Sequence, residues 1–391
     1  MRMQLRGIAA AAVAIAVVLP SRPALADAPI VRASSEVGAY RDSFATAVLT
    51  PTVAGRVESP TAGWSVQGRY LVDVVSAASP DVIATASPRW SETRHAGSAD
   101  VRYKPGAVGG GIGASASYTP DYFSRGAQGS AVVDLDANKT WTLSAGLGFA
   151  RDTIGRTGRP FSAFSRELDT FSGSLGLTRV IGPRTLGSVV VDGYVERGDQ
   201  SKPYRYIPLF LPSDVERVGR GASVDTVSSL RIGPRPLEQL PLSRERLAIT
   251  ARLAHRFDGL TIRGEERLYG DTWGMPASTT DVKVYFDIGN RVIAGPTFRA
   301  HAQGRTGFYR RAYASGGPGD IPAVRTGDRE LGALFSLSSG GTLRVGLAAA
   351  PEPMAIALGL AVDGTYTSFA DALYVTHRFA GLATLSFEAR F

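Results

Sequence analysis

Alternation over long runs is the feature that most constrains this chain. From 64 to 74, Trp64, Val66, Gly68, Tyr70, Val72 and Val74 fall on one face, and Ser65, Gln67, Arg69 and Asp73 on the other. From 141 to 149, Trp141, Leu143, Ala145, Leu147 and Phe149 oppose Thr142, Ser144, Gly146 and Gly148. From 247 to 257, Leu247, Ile249, Ala251, Leu253 and Phe257 oppose Thr250, Arg252 and Arg256. From 292 to 305, Val292, Ala294, Pro296, Phe298 and Ala300 oppose Thr297, Arg299, His301, Gln303 and Arg305. Period two means strands. The runs are about 10 to 14 residues long, against roughly 5 or 6 for a globular strand and about 9 to 11 for a tilted transmembrane strand. Length therefore points to an all-β fold, a transmembrane antiparallel up-and-down barrel.

The connections agree. Short ones carry turn residues: KPGA at 104–107, DANK at 136–139, GPR at 182–184, DG at 258–259, GN at 289–290 and SGG at 339–341. Long ones, at 152–167, 198–244 and 306–327, are rich in Gly, Pro and charge. Outer-membrane barrels have short turns at one end and long loops at the other. Counting back from Phe391 places strands near 30–40, 44–57, 64–76, 91–103, 108–118, 122–135, 140–151, 168–181, 185–197, 246–257, 260–271, 279–288, 291–305, 328–338, 342–349, 354–366, 372–379 and 382–391. All three long loops then fall at one end. The expected count is 18, with 16 as the alternative if the first strand and the split at Ala380–Gly381 are absent.

The first residues read as an export signal over 1–26: Arg2 and Arg6, an apolar run from Ile8 to Leu19, Pro20, then small residues at Ala24 and Ala26. One barrel domain over 27–391 is expected, in the outer membrane of a Gram-negative bacterium. Without the three arginines of the signal, the net charge of +8 falls to +5. The chain has no Cys, which removes thiolate chemistry and Cys-ligated metals.

Several stretches carry a family resemblance: LTPTVAGRV at 49–57, GRYLVDVVSAASPDVIATASPRWSETRH at 68–95, SKPYRY at 201–206, YGDTWGMPAST at 269–279 and AQGRTGFY at 302–309. Together they resemble a family of Gram-negative outer-membrane barrels known as domain of unknown function 3570. The resemblance implies a barrel ending in an aromatic residue, and genes near those of periplasmic redox or flavin-transfer proteins. It implies no activity. SKPYR stands where the family pattern is closer to SNPYR.

Chemistry is thinly marked. His95, His255, His301 and His377 lack metal-motif spacing. His255 sits on an apolar face, and His301 in the polar row Arg299–His301–Gln303–Arg305. Ser91, Glu92, His95 and Asp100 combine the residue types of a hydrolase, but a triad requires geometry and no G-x-S-x-G elbow is present. GGGIG at 109–113 lacks the Lys-Ser/Thr of a phosphate loop and reads as a strand that packs closely. Neither a cofactor nor catalysis is expected. The small, barely charged segment 76–90 is a candidate for folding into the lumen. The candidate lumen-lining residues are Arg69, Asp73, Arg252, Arg256, Arg263, Glu265, Arg267, Arg299, His301, Gln303 and Arg305. Their balance is basic, which favours anions weakly. Glu266 falls on the lipid face and breaks the pattern. Leu385, Phe387, Ala389 and Phe391 form a candidate signal for barrel-assembly machinery.

The functions these features favour are a channel or the membrane part of an envelope assembly with periplasmic partners. The alternatives are an enzyme with a rim site, or a receptor acting through loop 198–244. The excess of Arg is spread along the chain, so no nucleic-acid partner is expected.

Overall fold

A sheet of long alternating strands leaves no unpaired edge only when it closes on itself, and this chain does so. The computed structural model describes residues 29–77, 90–233, 235–317, 319–347 and 355–391. The export signal and most of the 76–90 segment lie outside the described residues. Nine strands precede the longest loop: β1 (Ile30–Asp42), β2 (Ala47–Ser59), β3 (Trp64–Ala77), β4 (Trp90–Tyr103), β5 (Val108–Thr119), β6 (Tyr122–Asp134), β7 (Trp141–Ile154), β8 (Arg166–Gly182) and β9 (Thr185–Gly198). That loop holds β10 (Leu209–Phe210) and a helix, α1 (Val224–Leu230). Four more wall strands follow: β11 (Ser243–Phe257), β12 (Leu260–Asp271), β13 (Ala277–Ile288) and β14 (Val292–Gln303). A second long loop holds β15 (Tyr313–Ala314), and β16 (Leu334–Gly346), β17 (Ala355–Phe369) and β18 (His377–Arg390) complete the wall.

Sixteen strands form one closed antiparallel ring, with β1 paired to β18; β10 and β15 form a separate parallel pair in the loops. Closure continues past the last strand. Val31 N–H bonds Phe391 O at 3.0 Å, and Phe391 N–H bonds Val31 O at 2.8 Å. Among the described residues no helix is long and apolar enough to cross a membrane, which says nothing about strands.

The count is 16, not 18, for two local reasons. The SGG at 339–341 is not a turn: 328–338 and 342–349 were expected as two strands, but one strand, β16, runs through Gly340 and Gly341. A Cβ at Gly340 would overlap the Val362 carbonyl and Asp363, so the glycine serves close strand packing. Likewise Ala380 and Gly381 lie within β18, paired to Thr365 and Gly364. Each error added one turn, so together they left the parity upstream intact. The loops at 155–165, 199–242, 304–333 and 370–376 share one end of the barrel, and KPGA, DANK, GPR, DG and GN turn at the other.

Register assigns the faces. Pairs such as Arg256–Asp287 at 2.6 Å, Arg344–Glu388 at 3.0 Å and Thr297–Asp363 at 2.8 Å each reach across an intervening strand. Such reach is natural on the concave side. The opposite face carries Val66, Ile112, Leu147, Phe171, Leu253, Phe286, Leu343 and Leu385, all exposed. An apolar face of this height turned outward on a closed barrel belongs against hydrocarbon.

Among the described residues the barrel wall encloses no apolar core; the buried apolar clusters lie in the loops and at the strand ends beneath them. Ile207, Leu209, Phe210, Val218, Val227, Phe369 and Val375 are nearly or fully buried. Ser223 caps α1 by accepting from Thr226 N–H at 3.1 Å, and Val227 is the helix residue sunk into this core.

The lumen and its cap as candidate functional site

The inward face divides into sectors of different chemistry. Across β9, β11, β12 and β13 it is charged. Arg252 binds Glu265 at 2.6 Å, Arg267 reaches Asp192 at 3.5 Å, and Arg256 binds Asp287. Arg263 lies 5.5 Å over the Tyr285 ring. Nearer the long-loop end, Arg244 and Tyr269 converge on Asp271, and Arg246 binds Glu196. The basic candidates expected from sequence are thus interleaved with acids on neighbouring strands, and the lumen wall here is a ladder of pairs.

Across β5 to β8 the inward face is small. Gly111, Gly113, Gln128, Ser130, Gly146, Gly148, Ser172 and Ser174 line a trough of about 290 Å³, with Asp100 and Arg102 at one margin and Asp192 and Tyr194 at the other. Glycine faces serine across strands: a Cβ at Gly146 would stand 2.7 Å from Ser174 Oγ, and one at Gly148 2.6 Å from Ser172 Oγ. The GGGIG glycines thus leave the trough open. A second cavity, of about 650 Å³, opens at the short-turn end beside Arg56, Glu58 and Lys104.

The remaining candidates fall as follows. Asp73 accepts from Thr50 Oγ1 at 2.7 Å and lies 3.8 Å from Arg94. Arg69 is opposite Ser98, and Arg299 is opposite Asp281. His301 is held between Thr279 Oγ1 at 2.8 Å and Gln303 Oε1 at 3.2 Å, and Gln303 donates to Glu330 O and Gly332 O. Arg305 is a correction: β14 ends at Gln303, where Gly304 N–H turns to Pro276 O at 2.8 Å, so Arg305 begins a loop and leaves the inward row. Leu385, Phe387 and Ala389 share the outward face of β18, followed by Phe391 at the short-turn end.

The hydrolase combination is separated by the sheet. His95 faces outward and shares a 2.7 Å hydrogen bond with Tyr70, while Glu92 and Asp100 face inward. His255, also outward, bonds Thr185 at 2.8 Å and packs edge-on against Phe257. Among the described residues no three His, Asp or Glu gather as metal ligands would.

At the long-loop end the two long loops interlock. Glu238 has a side chain with no exposure and accepts from Thr326 Oγ1 at 2.6 Å, Arg205 at 3.1 Å and Lys202 N–H at 2.9 Å. Arg205 also donates to Asp328 at 2.8 Å. Burial opposes the charge of Arg205, but Asp328 and Glu238 outweigh it and raise its pKa above the ordinary arginine value. Burial likewise opposes charge on Asp328, yet Arg205 holds its carboxyl below the usual carboxylate range.

Loop 199–242 reaches far round the ring. Tyr204 donates to Asp121 in the β5–β6 turn, and Arg220 donates to Thr376 O in the β17–β18 loop. A loop leaving β9 and touching both of these points lies across the mouth. Tyr204, Arg205 and Tyr206 are struts of this cap: Tyr204 donates to Asp121, Arg205 to Glu238 and Asp328, and Tyr206 accepts from Arg156 at 3.0 Å. Sequence reading missed the cap: Glu238, Thr326 and Asp328 carry no local pattern, and only the SKPYRY block marked their partner Arg205.

Among solved structures, a bacterial polysaccharide outer-membrane secretin is similar at 8% identity and TM-score 0.47, over 93% of this chain and 99% of that one. The outer-membrane protein OpdK from Pseudomonas aeruginosa is similar at 6% identity and TM-score 0.43, over 93% and 99%. The Pseudomonas putida toluene transporter TodX is similar at 10% identity and TM-score 0.37, over 94% and 90%. No curated protein matches the chain. The family model described as protein of unknown function (DUF3570) matches residues 26–352, and the chain belongs to that family.

Proposed function

We propose that this barrel sits in a bacterial outer membrane, long loops outward, and acts as a capped diffusion channel for small polar solutes. The observation that carries the reading is the inward face. Sixteen strands leave room for an aqueous passage, and here the inward side chains are mainly small, polar or charged, with glycines and serines in one sector and paired charges in another. An interior meant to be packed shut would carry branched apolar residues. The glycine and serine floor of β5 to β8 keeps the passage wide, and the paired ladder of β9 to β13 keeps it wet with little net field. Weak ion selectivity follows, because every arginine described in the ladder except Arg263, which lies over Tyr285, has an acid within reach. The cap across the mouth sets access. Catalysis is no part of this reading.

Purified protein in planar bilayers is expected to give discrete conductance steps with a reversal potential near zero in a salt gradient. A folded, membrane-inserted barrel that carries no current would refute the channel role.

A further inference from the structure

One row of the outward face is charged. Arg125 on β6 stands directly opposite Arg151 on β7, Arg151 opposite Asp169 on β8, and Asp169 opposite Arg197 on β9. On the long-loop side of Arg125 the next outward residue is Phe123. On the other side lie Phe149 and Phe171, exposed, with ring centroids 4.9 Å apart. The row therefore runs along the long-loop margin of the apolar band, at the level of interfacial aromatics.

Charge within the row does not balance. Arg151 grips Asp169 with two hydrogen bonds, at 2.6 and 2.7 Å. Arg197 donates to Glu245 on β11. Arg125 is exposed and has no anion among the described residues, and its direct cross-strand neighbour is another arginine. Like charges directly opposite destabilise a strand pair, and a cation against hydrocarbon costs more the deeper it lies. The pair is stable when a counter-anion is supplied from outside the chain. It must come from the lipid side, because the sheet separates this row from the lumen.

We infer that Arg125 and Arg151 bind the phosphate headgroup of a lipid in the leaflet at the long-loop end. Planar guanidinium groups donate in pairs to phosphate oxygens. A phosphate set between the two arginines offsets the unbalanced charge of Arg125 and accepts from the donors of Arg151 that Asp169 leaves free, with Asp169 holding Arg151 in place. Acyl chains below the headgroup then lie along Phe149 and Phe171. The inference rests on the membrane placement proposed above and is independent of conduction.

The test is a binding isotherm of fluorescent, bisphosphorylated lipid A on the full chain in neutral detergent, with the dephosphorylated lipid as the comparison. Wild-type protein is expected to prefer the phosphorylated lipid by about tenfold or more. Arg125→Gln/Arg151→Gln is expected to abolish that preference. Arg179→Gln, an outward arginine at the opposite end stacked 4.7 Å from Trp141, is expected to keep it. Heat-modifiable gel migration reports whether each barrel is folded; if the double variant is not, Arg125→Gln alone decides, since it removes the cation that has no acid. Equal affinity for the two lipids, or an unchanged preference in the variant, overturns the site. Displacement of the lipid by inorganic phosphate at matched concentration overturns the headgroup assignment in favour of a free-anion site. A wild-type chain that fails to insert into vesicles overturns the membrane placement instead.

Discussion

The cap and the barrel wall are held together by different physics. In the wall, cohesion comes from a continuous antiparallel ladder, with a polar face turned inward and an apolar face turned outward. In the cap, a small globular core forms around Phe210, Val218 and Val227, and a buried ion network joins Arg205, Glu238 and Asp328. The difference teaches where each part is fragile. A ladder loses little when one side chain changes. A buried charge that loses its partner is left with the full cost of desolvation. Cap and wall are therefore expected to fail separately.

The largest separation is expected from Glu238→Ala. It takes from Arg205 one of its two carboxylates, leaving Asp328, and removes the buried acceptor for Thr326 and for Lys202 N–H. Leaving buried donors without their acceptor costs about 1–3 kcal/mol each. The cap is expected to open, seen as lost amide protection across 199–242 and larger conductance steps, while heat-modifiable migration stays normal. If the whole barrel unfolds at a lower temperature, cap and wall are one cooperative unit and the comparison fails.

Gly340→Val probes the other side. Its Cβ would collide with the backbone of Val362 and with Asp363, so the strands must part locally. Overpacking of this kind costs about 1–3 kcal/mol. Urea unfolding in vesicles is expected to shift to lower concentration, with protection in the cap unchanged. A neutral result would mean that 339–341 behaves as a turn after all.

Acid titrates the cap. Asp328 has a depressed carboxyl pKa in the folded state. Its contribution is full above the unfolded value of about 3.9 and is lost as pH falls through the lower folded value. Conductance is expected to stay flat from neutral pH down to about 4 and to rise only below it. Asp328→Asn is expected to shift that rise or remove it; opening near pH 6 would point to another group.

The same division decides what could be read from the sequence. Alternation is a local signal, so the wall strands, their faces and the loop parity were legible to within a few residues. The two surplus turns arose because glycine marks both turns and close strand packing, and only the partner strand distinguishes them. The cap has no period. Arg205 and Asp328 are 123 residues apart and Thr326 and Glu238 are 88 apart, so their meeting depends on the ring being closed first. The arginine row on the outward face was hidden for a related reason: its members sit on four strands, and register brings them side by side.

Glu266 is the smallest and sharpest case. Alternation assigns it to the lipid face, and the structure keeps it there, opposite Thr280 on β13 and Ala251 on β11. The sheet accommodates it locally: Ser278 donates to one carboxylate oxygen at 2.6 Å and Thr280 to the other at 2.5 Å. Two hydroxyl donors from one neighbouring strand replace part of the hydration that hydrocarbon denies. Removing the acid leaves hydroxyls that can turn to backbone carbonyls, as Ser144 does towards Gly176 O at 3.3 Å. Glu266→Leu is therefore expected to be neutral or to stabilise the wall by up to ~2 kcal/mol, measured by urea unfolding in vesicles. Clear destabilisation would show that the carboxylate holds β12 to β13, and that polar pairs as well as the ladder hold the wall together.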